Sequence, residues 1–144
     1  MSTARKTALK VLLEIRESAY SNITLNKFLK EADLSAADRA LVTACVYGVL
    51  DRTITLDYVL AQHIKTPLKK VHPTALENMR LALYQIMYMD KIPDSAAVNE
   101  AVNLVKNSKQ KHLSGFVNGV LRNILRSEIK LPDGKDVKLS LIHI

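Results

Sequence analysis

The stretch Thr74-Ala-Leu-Glu-Asn-Met-Arg-Leu-Ala-Leu-Tyr-Gln-Ile-Met-Tyr-Met89 decides the fold. Its apolar residues, Ala75, Leu76, Met79, Leu81, Ala82, Leu83, Tyr84, Ile86 and Met87, cover nearly every direction of a 3.6-residue period, which leaves no full face for water. Such a helix has to be wrapped by others. Thr74 is expected to cap it, with Glu77 three residues on in capping-box position, and Pro93 stops it after Lys91 and Ile92. The sequence therefore predicts an all-α domain, a bundle of about seven helices around a central buried helix at 74–89.

Composition agrees. At 144 residues, with 48% hydrophobic and 24% charged residues, the chain is one domain long and can bury a core. Four glycines, four prolines and 5% aromatics favour helices over a turn-rich sandwich. The formal net charge of +7 suits an anionic partner, since counterions released from a phosphate backbone drive binding, although charge alone does not choose the partner. The single cysteine, Cys45, excludes an internal disulfide framework and fits a reducing compartment. The start lacks the apolar core of a secretory signal, and no run approaches the roughly 20 apolar residues of a membrane span, so a cytoplasmic protein is expected.

Outward from the central helix, amphipathic segments lie on both sides. From Thr3 to Ser18, Ala8, Val11, Leu12 and Ile15 form an inward stripe, while Arg5, Lys6 and Lys10 lie largely away from it. Cations near a helix N-terminus oppose the macrodipole, so helix stability does not explain them; a ligand does, or they are a solvated lysine-rich face. Leu25, Phe28 and Leu29 form a short second stripe. Ser35 can cap a third helix with Asp38 in its first turn, and Ala37, Ala40, Leu41, Ala44, Cys45 and Gly48 are expected on one narrow face that permits close helix approach. Cys45 has no neighbouring charge in sequence to activate it and reads as core. Leu56, Val59, Leu60 and Ile64 continue the pattern before a basic loop with Lys65, Lys69 and Lys70. Beyond Pro93, Asp94 and Ser95 start another helix, with Ala97, Val98, Ala101, Val102 and Val105 inward.

The last strong element runs from Leu113 to Arg126. Val117, Val120, Leu121 and Ile124 face inward, and Asn118, Arg122 and Arg126 line up at i, i+4 and i+8 away from them. Two arginines on one row without an acid suit phosphate or base-edge contacts, because guanidinium offers planar, paired donors. The alternative is that both pair with acids from another helix.

Chemistry-bearing motifs are missing. His63, His72, His112 and His143 lack metal spacing, one cysteine cannot complete a thiolate site, and no glycine-rich phosphate loop appears. Glu14, Glu17, Asp57, Glu77 and Glu100 are expected on helix exteriors or boundaries, unpaired for acid–base work. No catalytic residue, no metal and no cofactor is expected in this chain.

Three runs carry a family resemblance: Met79-Arg-Leu-Ala-Leu-Tyr-Gln85, Val98-Asn-Glu-Ala-Val-Asn-Leu-Val-Lys106 and Gly115-Phe-Val-Asn-Gly-Val-Leu-Arg-Asn-Ile-Leu-Arg126. In order and spacing they resemble the NusB family, an all-helical RNA-binding fold, over roughly residues 3 to 127. Arg122-Asn-Ile-Leu-Arg126 and Tyr47-Gly-Val-Leu-Asp-Arg52 resemble its methyltransferase branch, the N-terminal domain of the RsmB/Sun ribosomal RNA methyltransferases. That resemblance implies a small-subunit rRNA partner and, in a longer parent, a catalytic domain that uses S-adenosylmethionine to methylate cytosine at carbon 5 through a cysteine. Cys45 does not fill that role. The alternative within the family is a stand-alone transcription antitermination factor that performs no chemistry. The resemblance also implies RNA contacts on the first helix, at Arg5, Lys6 and Lys10. Phe116, which opens the shared motif, can stack a base where exposed, its other reading being core.

The expected division is an RNA-binding domain at 1–127, the start of a linker at 128–138 after the turn signal Leu131-Pro-Asp-Gly134, and a non-native tail at 139–144. Leu139-Ser-Leu-Ile-His-Ile144 resembles the translation of a sequencing adapter.

Overall fold

The computed structural model describes residues 3–18, 20–127, 129 and 131. Among these, seven α-helices follow one another: α1 (Thr3–Ser18), α2 (Ser21–Glu31), α3 (Ala36–Asp51), α4 (Thr53–Ala61), α5 (Pro73–Tyr88), α6 (Asp94–Lys106) and α7 (Ser114–Arg126). Short 3-10 turns at Leu68–Lys70 and Lys111–Leu113 lead into α5 and α7. No strand occurs among the described residues. The expected linker is described only at Ile129, which is buried against the core, and Leu131, half-buried beside it; the expected tail at 139–144 lies outside the described residues.

Helix α5 is the hub. It packs against α1, α3, α4, α6 and α7, and Met79, Leu83, Ile86 and Met87 on it are fully enclosed. Wrapping on all sides follows from an apolar surface that runs around the helix. Two of its polar residues are buried: Asn78 Nδ2 donates to the Ala101 carbonyl at 3.1 Å while its Oδ1 has no hydrogen-bond partner among the described residues, and Gln85 Nε2 donates to the Leu81 carbonyl at 3.0 Å.

The start of α5 differs from the expectation. Pro73 occupies the first turn, where its missing N–H costs nothing, and His72 caps: its Nδ1 accepts from the Thr74 N–H at 3.1 Å. Glu77 is thereby freed from any capping box. It is 3% exposed, not on an exterior, and its Oε2 accepts from Arg16 Nη1 and Arg80 Nη1, both at 2.8 Å. Arg80 also grips Asp57, so one arginine brings two carboxylates together. Glu100, half-buried, lies 3.6 Å from Arg5.

At α3 the cap is as expected, with Ser35 Oγ accepting from the Asp38 N–H at 3.1 Å. The expected face is met only in part, however: Cys45 and Gly48 point inward, joined by Val42, Val46 and Val49, and Leu41 is half-buried, while Ala37, Ala40 and Ala44 are exposed. The larger apolar residues took the core. Close approach holds at one position, because a Cβ on Gly48 would sit 2.0 Å from Tyr84 Cζ. Tyr84 stacks on Tyr88 with ring centroids 5.4 Å apart, and the Arg52 guanidinium lies 4.4 Å from the centre of the Tyr88 ring. Gly48 and Arg52, from the motif Tyr47 to Arg52, thus frame a tyrosine pair of α5. Cys45 is 1% exposed, its thiol pushed up to about 11 by burial, in keeping with a core role.

Candidate nucleic-acid interface

Helix α7 is the most cleanly two-faced element. Val117, Val120, Leu121 and Ile124 are buried, as their spacing requires, and the opposite side is open. Phe116 is 37% exposed, which removes it from the core. Two grooves meet at its ring. One, with a volume of about 490 Å³, is lined by His63, Lys65, Gly119, Asn123 and Arg126 among others; the second, about 200 Å³, by Lys70, His72 and Leu113 among others. Neither has a carboxylate in its lining. An exposed aromatic ring flanked by cations and free of acids is what base stacking plus phosphate contact needs.

Partial burial lowers the His63 pKa below its ordinary 6.5, and its Nδ1 accepts from Asn123 Nδ2 at 2.9 Å.

On the other flank of α7, Asn118 and Arg122 face α6. Arg122 Nη2 donates to Asn99 Oδ1 at 2.9 Å and its Nε to Asn118 Oδ1 at 3.3 Å. Among the described residues neither Arg122 nor Arg126 has an ion-pair partner, so the pairing with acids weighed from the sequence is absent there. Beside them lies a groove of about 460 Å³ between α6 and α7, lined by Asn99, Val102, Asn103, Lys106, Ser114, Gly115 and Asn118.

The first helix divides. Lys6 and Lys10, one turn apart, are exposed. Arg5, expected beside them, turns inward instead: its Nε donates to Gln85 Oε1 at 2.6 Å and Nη1 approaches Glu100. It pins α1 to α5 and α6. Lys65 and Lys70 were legible only as a basic loop, because their neighbour Phe116 is far away in the chain; the exposed ring joins them.

Among the described residues no three His, Cys, Asp or Glu side chains gather as metal ligands, and no helix is long and apolar enough to cross a membrane.

An all-helical bundle around a buried central helix, with this motif on its last helix, defines a class: the chain belongs to the NusB family, whose pattern matches residues 2–126. Within that family it is similar to proteins of two kinds. It is 43% identical over 129 residues to the "Probable ribosomal RNA small subunit methyltransferase B" of Bacillus subtilis (strain 168), an alignment covering 89% of this chain and 29% of that protein. It is 33% identical over 123 residues to the transcription antitermination protein NusB of Bacillus velezensis (strain DSM 23117 / BGSC 10A6 / LMG 26770 / FZB42), covering 85% and 92%. The fold matches a solved structure of antitermination factors NusB and NusE in complex with dsRNA, with a TM-score of 0.78 at 18% identity over 85% of this chain and 93% of that one. The chain therefore spans 29% of the length of its methyltransferase relative.

Proposed function

We propose that this chain is an RNA-binding domain, and that in a longer parent it positions small-subunit ribosomal RNA for a 5-methylcytosine methyltransferase domain. The observation that carries the RNA reading is the exposed Phe116 between two cation-lined grooves without a carboxylate. Lys6, Lys10, Asn118, Arg122 and Arg126 supply further contacts, with Arg5 holding α1 in place. Phosphate contacts fix the orientation of the RNA, and the choice of nucleotide is left to the catalytic domain.

The methyltransferase branch is favoured by the higher identity to methyltransferase B and by the run Arg122 to Arg126. S-adenosylmethionine and the catalytic cysteine then belong to that further domain; nothing in this chain is assigned to either. The second reading, a stand-alone antitermination factor, is favoured by the near-complete coverage of NusB relatives. Sequencing the native locus beyond Lys138 separates the two. A frame continuing into a methyl-donor-binding domain supports the first reading, and a genuine stop within a few codons overturns it.

The RNA reading has its own test. Replacing Arg122 and Arg126 by alanine together should weaken RNA binding and flatten its dependence on salt by roughly one to two in slope, whereas an unchanged slope overturns the assignment of both.

A further inference from the structure

Helix α4 is apolar on nearly every side, yet the bundle covers only one of them. Its sequence, Thr-Ile-Thr-Leu-Asp-Tyr-Val-Leu-Ala over Thr53–Ala61, holds a single charged residue, Asp57, and Arg80 takes up that carboxylate. Leu56, Val59 and Leu60 are buried where α4 packs on α5 and α3. Ile54, Tyr58 and Ala61, at i, i+4 and i+7, share the far side and are exposed, Ile54 to 86% and Tyr58 to 43%. Single exposed apolar residues are ordinary, but a helix that is apolar all round is one that other elements enclose. Among the described residues nothing encloses the far side of α4.

This face is unsuited to RNA. From Thr53 to Ile64 there is no lysine or arginine, in a chain with a formal net charge of +7, so its chemistry fits an apolar protein surface and not a phosphate backbone. The end of the bundle says which surface is at hand. Helix α7 finishes beside α4: Asn123 Nδ2 lies 2.9 Å from His63 Nδ1, just past the last turn of α4, and Arg126 lines one groove with His63 and Ile64. At Ser127 the backbone becomes extended, and the chain stays on the bundle at Ile129 and Leu131. The aligned region is only 29% of the methyltransferase relative, so a body larger than this bundle accompanies it there. Nine residues of α4 span roughly 14 Å, whereas a domain of some 200 residues has a radius of gyration of about 16 Å. A domain carried on the chain after α7 is thereby held within reach of Ile54 at high effective concentration.

We infer that the exposed side of α4 is the seat of that further domain, an apolar patch of which closes over Ile54, Tyr58 and Ala61 and fixes how the two domains are arranged. The inference rests on the methyltransferase reading above and adds the face on which the further domain sits.

The test uses the full-length parent expressed from the native locus, with this chain alongside. Benzoylphenylalanine in place of Ile54 should, on illumination of dilute parent, crosslink within one chain to a peptide from beyond residue 144, while the same group in place of the exposed Lys30 on α2 should not. Ile54→Glu should leave the melting temperature of this chain unchanged, because nothing among the described residues packs over that side chain. In the parent the same substitution should make trypsin cut between the domains roughly tenfold faster, since cleavage follows the population of the open form. If the frame continues into a methyl-donor-binding domain but position 54 gives no crosslink and the cleavage rate is unchanged, the docking face is wrong and the methyltransferase reading stands. Crosslinks that join two chains at position 54 assign the face to a second copy and overturn the inference. A genuine stop soon after Lys138 removes the methyltransferase reading, and the docking face with it.

Discussion

Arg80 grips Asp57 with two parallel hydrogen bonds, Nε to Oδ1 and Nη2 to Oδ2, each 2.8 Å long. Its third donor, Nη1, reaches Glu77, which also takes Arg16 from α1. Four charges therefore tie α1, α4 and α5 together. Removing Arg80 leaves Glu77 buried with one partner, and a buried charge stripped of a partner is costly. Arg80→Ala is expected to destabilise the chain by about 3 kcal/mol, and Arg16→Ala, which leaves Glu77 its Arg80 bond, by about 1 kcal/mol. Urea unfolding of the two variants checks this; equal losses contradict the ranking.

Gly48 has no room for a methyl group. In Gly48→Ala the Tyr84 ring must move off α3, which disturbs its stack on Tyr88 and the cover given by Arg52. A loss of about 1–3 kcal/mol is expected, with a changed tyrosine signal in near-ultraviolet circular dichroism. An unchanged spectrum and stability refute the packing described.

Arg5 and Lys10 should separate cleanly. Arg5→Ala removes a donor to the buried Gln85 and is expected to lower stability by about 1–3 kcal/mol. Lys10→Ala should leave stability within about 0.5 kcal/mol and reduce the salt slope of RNA binding by roughly one. Measuring both quantities on both variants decides it; the reverse pattern would return Arg5 to the RNA contacts.

His63 supplies a pH dependence. Its pKa is lower in the folded chain than its ordinary 6.5, so the unfolded chain binds the proton more readily. Above 6.5 both states are neutral and the group is silent; as pH falls through 6.5 toward the folded value, stability is lost. The parent chain should therefore lose ground to His63→Gln between pH 7 and about pH 5 in paired thermal melts. A difference that stays flat, or grows the other way, rules this out.

Amphipathic and all-apolar periodicity was legible where large side chains carried it: the hub helix lay within one residue of its expected span, and the buried row of α7 was as spaced. Alanine was less informative, being at home on either surface, so the exposed residues of α3 were misplaced. Charged residues were hardest to read. Glu77 lies far along the chain from Arg16, as does Gln85 from Arg5, and local pattern says nothing about such partners. The cap at His72 did have a signal, since proline favours the first helical position and sets the cap one residue before it. On the candidate interface, Asn118 and Arg122 share a flank of α7 as helical spacing predicts, but Arg126 lines the groove beside Phe116 on the other flank, and the neighbours of Phe116 needed the fold.

The hub arrives late. Helices α1 to α4 are complete in sequence by Ala61, yet the surface that α1, α3 and α4 share belongs to α5, which begins at Pro73. A chain emerging from the ribosome must therefore hold α1, α3 and α4 with apolar sides unclosed, and Arg5 and Arg16 without Gln85 and Glu77, until the hub has been made. A fragment cut at Lys70 inherits that open state permanently, so the smallest piece of this chain able to shield its own interior has to extend past α5.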